Sequence, residues 1–334
     1  MSAKRKPRIT KKSIISAIVT VAVFAVLYYL TANNILPRQY KSIIVPIIVN
    51  IMLVVSLNLT VGFLGELTLG HAGFMSVGAY AGCLFLIHSS LPQAVAMPVA
   101  LLIGGIIAAI CGIIIGIPAL RLRGDYLAIV TLAFGEIIRS LFNNAEFTGG
   151  AGGLKGIPKS TSFIVPFIVM VLSIIIVKNI VDSRQGRTIC AIRDNEIATE
   201  SVGTNLVYHK LLAFVAAAFI AGVAGVLYGQ NIGTLKPVNF DFNKSIELLV
   251  MVVLGGMGNI VGSIISAIAL TLLPELLRKY AEYRMLIYSI VLIAFMILSA
   301  NPKVKIFKDG LVEKVTSTFK KKKPIAKEEI KDGI

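Results

Sequence analysis

Four ionisable side chains, Glu66, Glu136, Arg139 and Glu247, fall inside or at the edge of long apolar runs of this sequence. A charge near the centre of a hydrocarbon layer costs at least about 2.5 kcal/mol, so one kept there normally faces a protein interior or a route through it. Glu136 and Arg139 are three apart on an expected helix and so share a face, where they either neutralise each other as a structural pair or line such a route. Glu66 lies in the broken segment Gly65-Glu66-Leu67-Thr68-Leu69-Gly70-His71, and Glu247 opens a short apolar run. Each either caps a helix start, where the macrodipole favours an acid, or stands with His71 beside a path.

Covalent chemistry has no matching arrangement. The nearest approach to a phosphate-binding loop, Gly153 to Ser160, places Pro158 where a backbone N–H is needed. Gly256-Met257-Gly258 follows no strand, so it is not a dinucleotide fingerprint. His71, His88 and His209 are dispersed, Cys83, Cys111 and Cys190 have neither metal-ligand nor disulfide spacing, and no H-E-x-x-H or G-x-S-x-G occurs. The expectation is a chain that is not an enzyme and takes no metal or cofactor.

The elements that hold these residues follow from composition. Of 334 residues, 56% are apolar and 15% charged, Trp is absent, and mean hydropathy is +0.84; soluble domains run near 45 to 50% apolar and about a quarter charged. Crossing a hydrocarbon core takes about 20 helical residues, and many runs here are that long, which predicts an all-α polytopic membrane protein rather than a barrel of alternating strands. About ten spans are expected, near 13–30, 42–61, 69–88, 94–118, 126–142, 162–178, 211–230, 245–258, 260–277 and 284–300. The basic stretch before Ile14 to Leu30 precedes an apolar core too long for a signal peptide, which predicts a retained first span. The run at 245–258 is too short to cross upright before Gly255-Gly256-Met257-Gly258-Asn259, so a broken or re-entrant helix is expected, with its loop facing protein. Gly62 to Glu66 is expected to interrupt the second span in the same way. Glycines four apart, at 78/82, 112/116, 225/229 and 258/262, predict close helix packing within the chain.

The net charge of +16 is unevenly placed. Residues 1–12 contribute +6 and residues 301–334 contribute +5, so the tails carry 11 of the 16. Basic flanks stay cytoplasmic, which puts both tails inside and brackets a membrane domain over 13–300; nucleic-acid binding is not needed to explain the charge. Residues 143–161, rich in glycine, are then an outside loop. Residues 179–209 are an inside loop. In it, Asp194 or Asn195 caps a short helix over about 195–202, Glu196 suits its first turn and Gly203 its end. Glu196 and Glu200 repel one another on one face, and Ile197, Ala198 and Val202 are left to pack on the membrane domain or on a partner.

Four stretches in order, Glu66 to Phe74, Arg121 to Ile137, the 186–206 loop and Gly255 to Gly262, resemble the permease subunits of branched-chain amino acid ABC importers of the LivM type, over roughly 43–300. The resemblance implies a heteromeric importer in the bacterial or archaeal cytoplasmic membrane, with a second LivH-type permease, two cytoplasmic ATPases and an extracytoplasmic amino-acid-binding protein. It implies alternating access driven by ATP hydrolysis in the partner chains. It implies a coupling helix at Asp194 to Gly203, with Arg193, Asp194, Asn195, Glu196, Ala198, Glu200 and Gly203 meeting the ATPase. Related permeases carry urea or short amides, so these remain alternative substrates, and an ion-gradient-driven transporter is the alternative from another class. The tails fall outside the resemblance; Lys320 to Lys323 are expected to be drawn to anionic lipid.

Overall fold

The computed structural model describes residues 37–277 apart from 123, 160 and 161, together with scattered residues between 22 and 29 and between 286 and 293. The expected first and tenth spans and both basic tails therefore lie outside the described residues or nearly so. Among the described residues the fold is all-helical, with a single isolated bridge between Leu154 and Leu235. The helices are α1 (Arg38–Asn58), α2 (His71–His88), α3 (Gln93–Ala119), α4 (Asp125–Asn144), α5 (Ile164–Asp182), α6 (Arg184–Asp194), α7 (Glu196–Ser201), α8 (Leu206–Ile232), α9 (Phe242–Gly255) and α10 (Ile260–Leu276). Among the described residues, five segments are long and apolar enough to cross a membrane: Lys41–Leu64, α2, α3, α5 and α8. α9 and α10, with 14 and 17 residues, are shorter, and α4 is not among the five.

The core is built on the small residues of α2 and α8. Gly78 abuts Gly222, and a Cβ on Gly78 would lie 2.2 Å from the Gly222 Cα. Gly225 approaches the Met75 carbonyl as closely, and from Gly78 with Gly222 through Gly82 with Val226 to Cys83 with Gly229 the two helices run parallel. α3 runs antiparallel to α8 and packs on α2 as well, with Gly112 against Ala218, Gly116 against Leu211 and Gly104 against the Gly78 carbonyl. The expected glycine pairs at 78/82, 112/116 and 225/229 thus serve packing within the chain, whereas Gly258, with φ +78°, lies in the reversal before α10 and not in a helix. α4 follows α2, with Gly73 against Gly135 and the Tyr80 ring stacked 4.2 Å from Phe142. Outward from this core, α3 presents Leu102, Ile106, Ile110 and Ile114 to the surface, the apolar face that a hydrocarbon layer would cover.

Both expected interruptions are present. α1 passes into a π-helical turn over Leu59–Leu64 and stops at Gly65, whose φ of +82° a side-chain-bearing residue seldom adopts. α9 stops at Gly255, and the chain reverses through Gly256 and Gly258 into α10, with Ser266 Oγ donating to the Met251 carbonyl. The two interruptions meet: the Gly258 N–H donates to Asn58 Oδ1 at 2.9 Å, and Asn58 Nδ2 donates to Ser263 Oγ. The second break therefore faces protein, which supplies the partners that lipid lacks.

The two long polar loops carry structure of their own. Residues 179–209 hold two helices instead of one: α5 continues to Asp182, and Ser183 caps α6 by accepting from the Gly186 N–H. α6 was hidden because it is polar, with only Gly186, Ile189 and Ile192 buried. The glycine-rich 143–161 segment contains two 3₁₀ turns and is pinned by paired Leu154–Leu235 backbone hydrogen bonds. Its glycines meet positive φ at Gly149 and Gly153.

Candidate functional site

The ends of α1, α3 and α5 and the starts of α2, α4 and α8 gather on the face that carries α6 and α7. There, Lys210, in the second turn of α8, is buried, and its Nζ donates to Glu66 Oε1 at 2.5 Å and to Glu196 Oε1 at 3.0 Å. Glu66 comes from the interruption after α1, Glu196 from the first turn of α7. One ammonium thus joins α7 and α8, neighbours in sequence, to an interruption 144 residues away. The second link is Arg193, the penultimate residue of α6. Its Nη1 donates to the Gly62 carbonyl at 3.0 Å, while its Nε and Nη2 grip Asp194 Oδ1. A Cβ on Gly65 would sit 2.6 Å from Arg193 Cγ, so the guanidinium stem lies directly on the interruption.

α7 itself is capped as expected. Asn195, not Asp194, is the cap: its Oδ1 accepts from the Ala198 N–H at 3.0 Å. Gly203 closes the turn with φ +83° and its N–H on the Glu200 carbonyl. Glu196 escapes the repulsion of Glu200 by turning to Lys210, while Glu200 remains exposed. Ile197 and Val202 are 72% and 80% exposed, so they do not pack on the membrane domain. Beside them a cleft of about 580 Å³ opens between the end of α3 and the start of α8, lined by Arg121, Glu196, Glu200, Asn205 and Lys210.

Residues 39–300 match the family described as branched-chain amino acid transport system / permease component. The chain belongs to that family. It is 37% identical over 282 residues to the Escherichia coli high-affinity branched-chain amino acid transport system permease protein LivM, an alignment that covers 74% of this chain and 65% of that protein. It is 28% identical over 165 residues to the Salmonella typhimurium permease protein LivH, covering 48% of this chain and 52% of that protein. The Haemophilus influenzae ribose import permease protein RbsC is 25% identical over 318 residues, 88% of this chain and 93% of that protein. The chain spans just under two thirds of the LivM relatives' length. No solved structure matches. This is a family of transport permease components of membranes, not of enzymes.

Elsewhere in the chain the other polar residues singled out by the sequence fall into separate places. Glu136 and Arg139 form an ion pair at 2.6 Å on α4, both partly exposed, so the structural pairing is realised without removing them from the surface. His71, the first residue of α2, is buried with Nε2 2.8 Å from Ser56 Oγ. Glu247 does not cap α9. Asp241 does, accepting from the Lys244 N–H, and Glu247 pairs with Lys244 at 3.0 Å. Lys244 also donates to Asn50 Oδ1, and Asn50 Nδ2 donates to Thr271, a network that ties α1, α9 and α10. Nor does Glu66 cap α2, since Gly70 occupies that position. Sequence reasoning missed Lys210, Lys244 and Asn50 as members of these groups. Lys210 falls just outside the expected span at 211–230, although a lysine at the start of a 27-residue apolar helix needs a buried partner, and Glu66 is an acid available to it.

Proposed function

We propose that this chain is a permease subunit of an ABC importer that moves branched-chain aliphatic amino acids across the bacterial or archaeal cytoplasmic membrane. Access alternates between the two faces, driven by ATP hydrolysis in partner chains. The partners are a LivH-type permease, two cytoplasmic ATPases and an extracytoplasmic amino-acid-binding protein. Both termini lie in the cytoplasm, on the side of α6 and α7. The family membership and the LivM and LivH relatives support this reading.

The observation that carries it is α7: a capped helix that leaves Ile197 and Val202 exposed to a partner while its Glu196 reaches into the membrane domain. A helix that an ATPase can grip from outside, and that is ionically attached to the bundle, suits conversion of ATPase motion into helix motion. Arg193, Asp194, Asn195, Glu196, Ala198, Glu200 and Gly203 make up this coupling site. Glu66, His71, Glu136 and Glu247 stand on or beside the translocation path. The deciding measurement is ATP-dependent leucine uptake into vesicles holding the complete complex. Reversing both Glu196 and Glu200 to Lys abolishes coupling of hydrolysis to uptake; undiminished coupling overturns the assignment.

A further inference from the structure

We infer that Lys210 and Arg193 are positioning residues that carry movement of α7 into both interrupted helices of the bundle, an inference that rests on the importer reading above. Lys210 shares its charge unequally. Its own side chain is 3% exposed and that of Glu66 14%, whereas Glu196 is 30% exposed and its bond is the longer one. If α7 is drawn outward, the Glu196 carboxylate can rehydrate while Lys210 keeps Glu66, so the buried ammonium is never left alone. The Lys210 to Glu196 bond is thus the part that opens, and the Lys210 to Glu66 bond is the part that stays.

Arg193 supplies the second attachment. It sits three residues before the first residue of α7, and its guanidinium is held against Asp194 so that Nη1 points at the Gly62 carbonyl. The same Nη1 lies against Gly258, the reversal between α9 and α10. Gly258 is in turn bonded to Asn58 at the end of α1. One side chain therefore touches both interruptions, and those are already fastened to one another. At Gly65 the Arg193 stem leaves no room for a Cβ, so a displacement of Arg193 toward the interruption cannot be absorbed by slack and must shift the backbone. Interrupted helices are where such a shift needs the fewest intrahelical bonds to break.

The test uses the full complex in proteoliposomes, measuring leucine taken up per ATP hydrolysed, for Lys210→Gln, Glu196→Gln, Arg193→Gln and Arg193→Lys. The expected result is a fall in uptake per ATP of about two- to thirtyfold in the three glutamine variants. Arg193→Lys, which keeps a donor for the Gly62 carbonyl, recovers most of the ratio. A merely structural role would lower the amount of assembled complex and leave the ratio of the assembled fraction unchanged, and that outcome for Glu196→Gln and Arg193→Gln overturns the inference. Should Lys210→Gln fail to assemble, Glu196→Gln, at the more exposed partner, decides. A wild-type complex without ATP-driven uptake overturns the importer reading itself.

Discussion

Lys210 Nζ lies 2.5 Å from Glu66 Oε1, across 144 residues of chain, with both side chains largely buried. Neither charge would be stable at that depth without the other. Removing one member of a buried pair typically costs about 3–5 kcal/mol, because the remaining charge is left uncompensated. Lys210→Met is expected to destabilise the permease by that order, and adding Glu66→Leu is expected to restore most of the loss. Thermal unfolding of the detergent-purified chain and its variants reads this directly. Strictly additive losses in the double variant would mean that the two side chains contribute independently.

The apolar character of the elements was readable from residue types, because about 20 apolar residues in a row have few alternatives to a span. So were both interruptions, since Gly62 to Glu66 and Gly255 to Asn259 leave runs too short or too flexible to continue. The cap of α7 was readable to within one residue, because Asp194 and Asn195 are both good caps and only backbone geometry separates them. What was not readable is pairing across long sequence separation. Glu66 and Glu247 looked like helix-start acids, yet their partners, Lys210 and Lys244, depend on which helices adjoin, a matter decided by glycine contacts such as Gly78 with Gly222. α6 stayed hidden for a different reason. It is polar on average and buries only three residues, so no apolar run marks it.

The cap of α7 is expected to control how well that short helix holds its shape. Six residues cannot sustain a helix by propensity alone, so the Asn195 Oδ1 bond to the Ala198 N–H matters more here than in a long helix. Asn195→Ala should lower local stability by about 1 kcal/mol, and Asn195→Ser should retain most of it. Hydrogen exchange at residues 198–201 is the measurement: faster exchange in the Ala variant only supports the cap, and equal exchange in all three chains argues against it.

The α2–α8 crossing makes a sharp prediction for two glycines. A Cβ at Gly78 meets the Gly222 Cα at 2.2 Å and its carbonyl at 2.5 Å, and backbone cannot swing aside as a side-chain tip can. Gly78→Ala therefore has to part the helices, at a cost of about 1–3 kcal/mol. Gly152→Ala, where nothing lies within 4 Å, should stay within about 0.5 kcal/mol of the parent. Thermal midpoints of the two variants compare them; a Gly78→Ala chain as stable as Gly152→Ala contradicts the close crossing.

Cys190 on α6 offers a check on the helix that sequence alone did not anticipate. Burial pushes its thiol above the ordinary range, with Asp194 adding to the effect and Arg193 opposing it. The thiolate is the reactive species, so a raised value leaves less of it at neutral pH and shifts its formation to more alkaline solution. In a chain with Cys83 and Cys111 replaced by Ala, Cys190 should react with a small maleimide more slowly than a thiol introduced by Ser201→Cys in the exposed part of α7. Its rate should still be climbing at a pH where the Ser201→Cys thiol has levelled off. Rate profiles that level together would place Cys190 on an open loop instead of on the packed side of a helix between α5 and α7.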